Sequence, residues 1–151
     1  MNQRALLLFS VSIIILLTSC THTQNWTPTQ SQSGPTRPVP RQLALAEPAL
    51  TVAPGQYVFY KFTAPDRGRV TGRFRAAGGS GNDIQVLILD SDQFENWRNG
   101  HNTSAYYNSQ KVTVSNVDAM LREGTYYLVF NNNFSAFSNK AITADIKLTE
   151  P

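Results

Sequence analysis

From about residue 57 to the C-terminus, apolar and polar residues alternate in short runs that turn-forming residues separate. Successive side chains of a β-strand point to opposite faces, so alternation with a period of two predicts strands that are buried on one face. No long segment repeats with the helical period of 3.6 residues. The pattern predicts an all-β domain, an antiparallel β-sandwich of the jelly-roll kind.

Six segments of the chain carry the strand pattern. DIQVLIL, from Asp83 to Leu89, is apolar on both faces in its second half, which predicts a central strand. KVTV, from Lys111 to Val114, predicts a short strand. In the other four segments we expect these residues to face the core: Val58, Tyr60 and Phe62; Val70, Gly72 and Phe74; Tyr126, Leu128 and Phe130; Ile142, Ala144, Ile146 and Leu148.

The first nineteen residues have the pattern of an export signal. Met1 to Arg4 carries one positive charge, and Ala5 to Leu17 is apolar except for two serines. A helix that spans a bilayer needs about 20 apolar residues, so this run is too short to span one comfortably. A charged start, an apolar stretch and small residues before a cleavage point are typical of a signal peptide. We therefore predict a signal peptide over residues 1–19.

Cys20 directly follows this segment and is the only cysteine in the chain. A single thiol cannot form an internal disulfide, so it is either a free thiol or a modified one. Leu17-Thr18-Ser19-Cys20 resembles the bacterial lipobox, whose cysteine is acylated. The resemblance implies an envelope lipoprotein that is anchored through palmitate-type chains on Cys20. Thr21 resembles the outer-membrane sorting pattern of bacteria with two membranes.

Residues 20–46 are rich in threonine, glutamine, serine and proline. Such a segment has little apolar surface to bury, so we expect a disordered tether that leads to a domain over residues 47–151. From Glu47 onwards ten basic residues balance ten acidic residues. A neutral domain offers no electrostatic basis for binding nucleic acid, and we expect none.

The segment from Gly124 to Leu148 resembles the last strands of GOLD domains, the β-sandwich modules of Golgi cargo receptors. The rhythm of the domain is also similar to the bacterial pre-peptidase C-terminal β-sandwich. The resemblance implies a non-catalytic module that binds other proteins. The chain departs from the cargo receptors in lacking their disulfide. The GOLD-like motif positions, to which we assign structural roles, are Gly124, Tyr126, Asn131, Ser135 and Lys140.

Three consecutive asparagines, Asn131 to Asn133, follow the strand that contains Tyr126. They could form a ligand site at a sheet edge, or they could end the strand in a tight loop. Asparagine tolerates left-handed backbone conformations and caps turns through its own side chain, which favours the loop interpretation. We expect Ser135 and Lys140 to hold that loop.

The strand RVTGRFR presents arginines on its outward face. Arg69, Arg73 and Arg75, with Arg67 just before them, form a cationic ladder on a face whose successive positions lie about 7 Å apart along the strand. Guanidinium groups suit bidentate contacts with carboxylates or phosphates, so an acidic envelope protein or another anionic surface component is a candidate partner. The alternative is a solvated strand whose charges prevent edge pairing.

The segment from Asp92 to Tyr107 mixes aromatic residues with asparagine, arginine and histidine. Trp97, Tyr106 and Tyr107 could stack on a sugar ring, which is the alternative function of a lipid-anchored glycan-binding module. Phe94 and Trp97, three residues apart, could instead lie on one face of a helical turn that covers the open end of the sandwich.

Motifs for catalysis and for metal binding are incomplete in this sequence. Asp90 and Asp92 begin a pattern like a calcium loop, but Phe94 and Glu95 stand where a ligand and a glycine belong. GGSGN lacks the final glycine of a nucleophile elbow. We therefore expect no catalytic residues, no metal and no cofactor, and a function in binding other envelope proteins or assembling a surface complex.

Overall fold

The structure, a computed structural model, describes residues 40–79 and 81–151. The predicted signal peptide, Cys20 and most of the predicted tether lie outside these residues. The described part contains these elements: β1 (Gln42–Ala44), β2 (Ala49–Val52), β3 (Tyr57–Ala64), β4 (Gly68–Ala77), β5 (Ile84–Asp90), α1 (Ser91–Arg98), β6 (Tyr107–Val112), β7 (Val114–Leu121), β8 (Gly124–Asn131) and β9 (Lys140–Thr149).

Two antiparallel sheets pack face to face, which confirms the predicted β-sandwich. In the first sheet β1 and β2 pair with successive parts of β9, which then pairs through β4 to β7. The second sheet has the order β3-β8-β5-β6. Along the chain the strands change repeatedly from one sheet to the other, so both sheets contribute to one shared core.

The residues predicted to face inwards on β4, β8 and β9 lie in this core, except Gly72, which is only half-buried. Phe74, Phe130 and Leu148 are among its largest fully buried side chains. On β3 Phe62 is buried, while Val58 and Tyr60 pack against the core from its margin. β5 lies between β8 and β6 and is buried on both faces, as a central strand should be. The alternation of the sequence therefore identified the buried faces correctly.

Helix α1 begins with a capping box. The Asp90 carboxylate accepts a hydrogen bond from the Gln93 backbone N–H, and the Gln93 side chain accepts one from the Asp90 N–H. Phe94 packs against Leu87, Leu89 and Val129 on the outer face of the second sheet. The prediction that Phe94 and Trp97 cover the open end of the sandwich is therefore wrong. The helix covers this face because β5 and β8 carry apolar side chains on it.

Two predicted boundaries also differ from the structure. Lys111–Val114 is not a separate strand, since it contains the end of β6 and the start of β7. The folded region begins before residue 47, because Gln42–Ala44 pairs with β9 and Leu45 is buried in the core. Within the described ranges no helix has the length and apolarity needed to cross a membrane.

The backbones of β4 and β9 lie close together at Gly72, whose φ is 156°. A Cβ atom on Gly72 would lie 2.1 Å from the Asp145 carbonyl oxygen and 2.6 Å from the Ile146 Cα. Both of these are backbone atoms, so a rotamer change cannot relieve the clash. A side chain at this position would force the two central strands apart.

We expect Gly72→Ala to lower the free energy of unfolding by about 3 kcal/mol, measured by urea denaturation. Gly100→Ala is the matched control. Gly100 also has a positive φ, 77°, but an added Cβ would meet no atom within 4 Å. Gly100→Ala should therefore lower the free energy of unfolding only by the strain of the backbone conformation, about 1 kcal/mol. Equal losses in the two variants would contradict the steric role of Gly72.

Candidate functional site

The outer face of the first sheet carries the predicted arginine ladder. Arg69, Arg73 and Arg75 are exposed on β4, between β7 and β9. Among the described residues no element covers this face, whereas α1 packs on the outer face of the second sheet. We call this surface the arginine face. The outward charged residues on its three long strands are Arg69, Arg73, Arg75, Asp118, Asp145 and Lys147.

The four predicted arginines differ in their contacts with acidic residues. Arg69 donates two hydrogen bonds to Asp118 on β7, at 2.9 and 2.6 Å. These bonds hold the pKa of the Asp118 carboxyl below its usual range. Arg67 lies in the turn before β4, has φ 59°, and is 3.8 Å from the Asp66 carboxylate. Neither residue is as free to bind an external anion as the sequence suggested.

Arg73 and Arg75 have no carboxylate partner within salt-bridge distance in the described part of the chain. They border a cavity of about 490 Å³ together with Phe74, Thr143 and Asp145. This cavity is a groove along β4 that two exposed guanidinium groups border.

Apolar side chains lie on the same surface. Val114 on β7 is paired with Arg75, and its side chain is 44% exposed. Met120, paired with Arg69, is 60% exposed. The two side chains therefore add exposed apolar surface at two places, about 20 Å apart along β7. Sequence analysis placed Val114 at the end of the predicted strand KVTV without assigning it to this face, and it missed Met120 because it did not predict the rest of β7.

The three aromatic residues proposed for glycan contact do not form one surface. Trp97 packs edge-on against Tyr57 at 4.9 Å, beside α1. Tyr106 is 42% exposed and contacts the Tyr126 ring at 5.1 Å. Tyr107 packs against the main core and donates a hydrogen bond to the Asn116 carbonyl oxygen. A single sugar ring cannot contact all three side chains in this arrangement.

The GOLD-like motif residues lie at strand ends and in the core. β8 begins at Gly124, and the buried Tyr126 donates its hydroxyl hydrogen to the Arg122 carbonyl oxygen. Burial raises the pKa of the Tyr126 hydroxyl. Asn131 ends β8, donates to the Gln85 side chain and accepts from the Asn133 backbone N–H. These contacts give the residues roles in the strand and its following turn.

Asn132, in the middle of the asparagine run, is fully buried. Its side-chain amide nitrogen lies within hydrogen-bond distance of the carbonyl oxygens of Val52, Ala53 and Ser138. The Ser135 hydroxyl accepts a hydrogen bond from the Ser138 N–H. The asparagine side chain therefore ties the β8–β9 loop to the end of β2. Nothing in the sequence distinguished Asn132 from its two neighbours.

Lys140 begins β9 and is only 3% exposed, which is unusual for a lysine. Its Nζ donates to the Asp83 carboxylate at 2.9 Å and to the Gly78 carbonyl oxygen at 3.0 Å. The hydrogen bond from Lys140 holds the pKa of the Asp83 carboxyl below its usual range. This ion pair connects the β8–β9 loop to the segment before β5.

Of the two residues considered for a calcium loop, Asp90 is the N-cap of α1, and Asp92 is exposed in the first turn of that helix. In the segment GGSGN the Asn82 side chain accepts a hydrogen bond from the Gly78 backbone N–H. In residues 40–79 and 81–151 no group of three or more histidine, cysteine, aspartate or glutamate side chains is arranged to hold a metal ion.

No protein-family model matches the chain, and no curated protein matches it in sequence. A solved structure similar to it is that of Aeromonas hydrophila PliG, a periplasmic lysozyme inhibitor of g-type lysozyme. The two chains are 14% identical, and the match covers 70% of this chain and 86% of that chain with a TM-score of 0.36. Similarity at this level assigns neither a family nor an activity.

Asp83→Asn removes the carboxylate that compensates the buried Lys140 charge. We expect a loss of about 3 kcal/mol in the free energy of unfolding at pH 7, because an uncompensated buried charge is costly. Adding Lys140→Met to this variant removes the charge, so the double variant should be more stable than Asp83→Asn alone. Urea denaturation of the three proteins measures both differences.

The Lys140–Asp83 ion pair also predicts that the stability difference between the wild type and Asp83→Asn depends on pH. A carboxyl with a lowered pKa in the folded state stabilises the protein above its unfolded pKa, which is about 3.9 for aspartate. This contribution is lost as the pH falls through the lower folded value. The difference between the wild type and Asp83→Asn should therefore shrink below about pH 4. A difference that stays constant between neutral and acid pH would contradict the ion pair.

Proposed function

We propose that this protein is a lipid-anchored envelope protein whose β-sandwich binds, without catalysis, an acidic surface of another envelope protein. The observation that carries this proposal is the pair Arg73 and Arg75, two exposed guanidinium groups without carboxylate partners among the described residues. They lie beside a groove on the uncovered face of the first sheet.

Charge favours an acidic partner for the arginine face. Its three long strands carry four outward basic residues against two acidic ones, although the domain as a whole is neutral. Two of these bases, Arg69 and Lys147, already lie near acidic residues of the same face, with Arg69 bound to Asp118 and Lys147 near Asp145. The remaining positive charge is therefore concentrated at Arg73 and Arg75. Complementary charge at an interface directs encounter and orientation more than it raises affinity.

The spacing of the two arginines predicts the spacing of the carboxylates that a partner would present. Arg73 and Arg75 are two residues apart on one strand, so their side chains start about 7 Å apart on the same face. Two carboxylates two residues apart on an extended segment, or one turn apart on a helix, have a similar spacing. Arg69 and Asp118 display the bidentate geometry that such a contact would use.

Val114 and Met120 supply the apolar area that a protein interface needs beside its charges. A soluble anion or a lipid headgroup would leave both side chains in water. These two exposed side chains are the reason for proposing a protein rather than another anionic component of the envelope.

The proposed position in the cell rests on the sequence. Cys20, in its lipobox-like context, would carry the acyl chains, and the following segment would hold the domain near the membrane. We propose the outer membrane where the cell has two. Anchoring raises the local concentration of the domain at that surface, so a weak contact can suffice.

The test is a crosslinking pulldown from intact cells with the full-length lipoprotein. Recovery of a defined envelope protein should fall at least about tenfold in the variant Arg73→Ser/Arg75→Ser, because both charge-assisted contacts are lost. Recovery should also decrease when salt is raised before crosslinking. Arg122→Ser is the matched control, since Arg122 is exposed on the β7–β8 turn.

Cys20→Ala tests the anchor separately, because this variant cannot be acylated. We expect it to lose both membrane association and recovery of the partner from cells. Undiminished recovery with the double arginine variant at low salt would reject the arginine face as the binding surface. Undiminished membrane association of Cys20→Ala would reject the proposed anchor.

A further inference from the structure

A cavity of about 310 Å³ lies beside the β8–β9 loop, at the opposite end of β9 from β1. Its principal lining residues are Asp83, Phe134, Ser135, Phe137, Ser138 and Lys140. Gln42 pairs with Thr149 at the other end of β9, which is ten residues long. The cavity is therefore about 30 Å from the point where the described chain enters the first sheet. It shares no lining residue with the groove beside Arg73 and Arg75.

Two phenylalanines form the apolar part of the cavity. Phe137 is 95% exposed, more than any other large apolar residue in the described part of the chain. Phe134 is half-buried, and the Lys111 ammonium lies over its ring at 4.4 Å from the centroid. The Lys111 contact occupies one ring, whereas the Phe137 ring has almost no protein contact.

The polar part of the cavity is the pair Lys140 and Asp83. An ammonium group has three hydrogens, and Lys140 donates to two acceptors, Gly78 and Asp83. Oδ2 of Asp83 accepts no hydrogen bond from a side chain of the described residues. One hydrogen of the almost completely buried Lys140 ammonium and Oδ2 of Asp83 therefore have no side-chain partner among the described residues.

We propose that this cavity binds a neutral sugar unit. Each hydroxyl of a sugar both donates and accepts hydrogen bonds. One ring hydroxyl would donate to Asp83 Oδ2, and the adjacent hydroxyl would accept from Lys140 Nζ. The apolar C–H face of the same ring would stack on Phe137. An aromatic wall with a few convergent polar groups is the usual composition of a small-molecule site.

Other ligand classes fit the same groups less well. An anion would meet the Asp83 carboxylate, whose charge Lys140 already balances. An apolar side chain from a partner protein would remove water from the ion pair without replacing its hydrogen bonds, which is costly. A polyhydroxylated ring satisfies both groups and covers the exposed phenylalanine.

The experiment uses the full-length protein in detergent and measures ligand-detected NMR with glucose, galactose, mannose and N-acetylglucosamine. At least one of these sugars should bind with a dissociation constant of about 1 mM. Phe137→Ala should weaken that binding about tenfold, which is the loss expected for one stacking contact. Because Phe137 is exposed, the substitution should leave the fold intact.

Met120→Ala is the matched control, since Met120 is an exposed apolar residue on the arginine face. It should bind the sugars as the wild type does, and so should Arg73→Ser/Arg75→Ser. Absence of binding for all four sugars would overturn the proposal. Binding that Phe137→Ala leaves unchanged, or that Met120→Ala weakens equally, would also overturn it. None of these outcomes depends on the partner of the arginine face.

Discussion

β4 and β9 pair over nine residues at the centre of the first sheet, and their register fixes both faces of that sheet. Because side chains alternate across a strand, this register decides which residues of β4 enter the core and which face solvent. A slip of one residue would bury arginines and expose Phe74. Gly72 allows the two backbones to approach in this register, since a side chain at that position would meet the backbone of β9. The position of Arg73 and Arg75 on the outer face follows directly from it.

The same strand, β9, connects the two candidate binding sites. Its middle supplies Thr143 and Asp145 to the groove beside the arginines, and its first residue supplies Lys140 to the cavity beside the β8–β9 loop. Asn132 and the Lys140–Asp83 ion pair hold that loop against β2 and the segment before β5. The asparagine run therefore has a structural role in holding the loop. The side chains of the loop that a ligand can contact are its phenylalanines. A regular strand that contributes residues to two candidate sites can hold the side chains of a binding domain in fixed positions.

Sequence alone predicted the β-sandwich and the buried faces of β4, β8 and β9, because strict alternation has one physical interpretation in a half-buried strand. It missed β7, whose outward positions include Asn116 and Asp118, residues that are uncommon in strands. The Arg69–Asp118 pair joins residues 49 positions apart, so only the strand register reveals that Arg69 is occupied. The cavity beside the loop combines Asp83 with residues from Phe134 to Lys140 for the same reason. The local alternation of apolar and polar residues predicts which face of a strand is buried. Sites formed by residues distant in sequence can be predicted only when the order and register of the strands are known.

We propose that a partner protein binds the uncovered outer face of the first sheet. Photo-crosslinking in living cells would detect that contact, with benzoylphenylalanine placed singly at Asn116 or at Asn96 of the full-length protein. Asn116 pairs with Arg73 on the arginine face, and Asn96 is exposed on α1, which covers the second sheet. We predict one defined protein adduct from position 116 and none from position 96. Adducts from position 96 alone, or from neither position, would contradict the assignment of the binding surface.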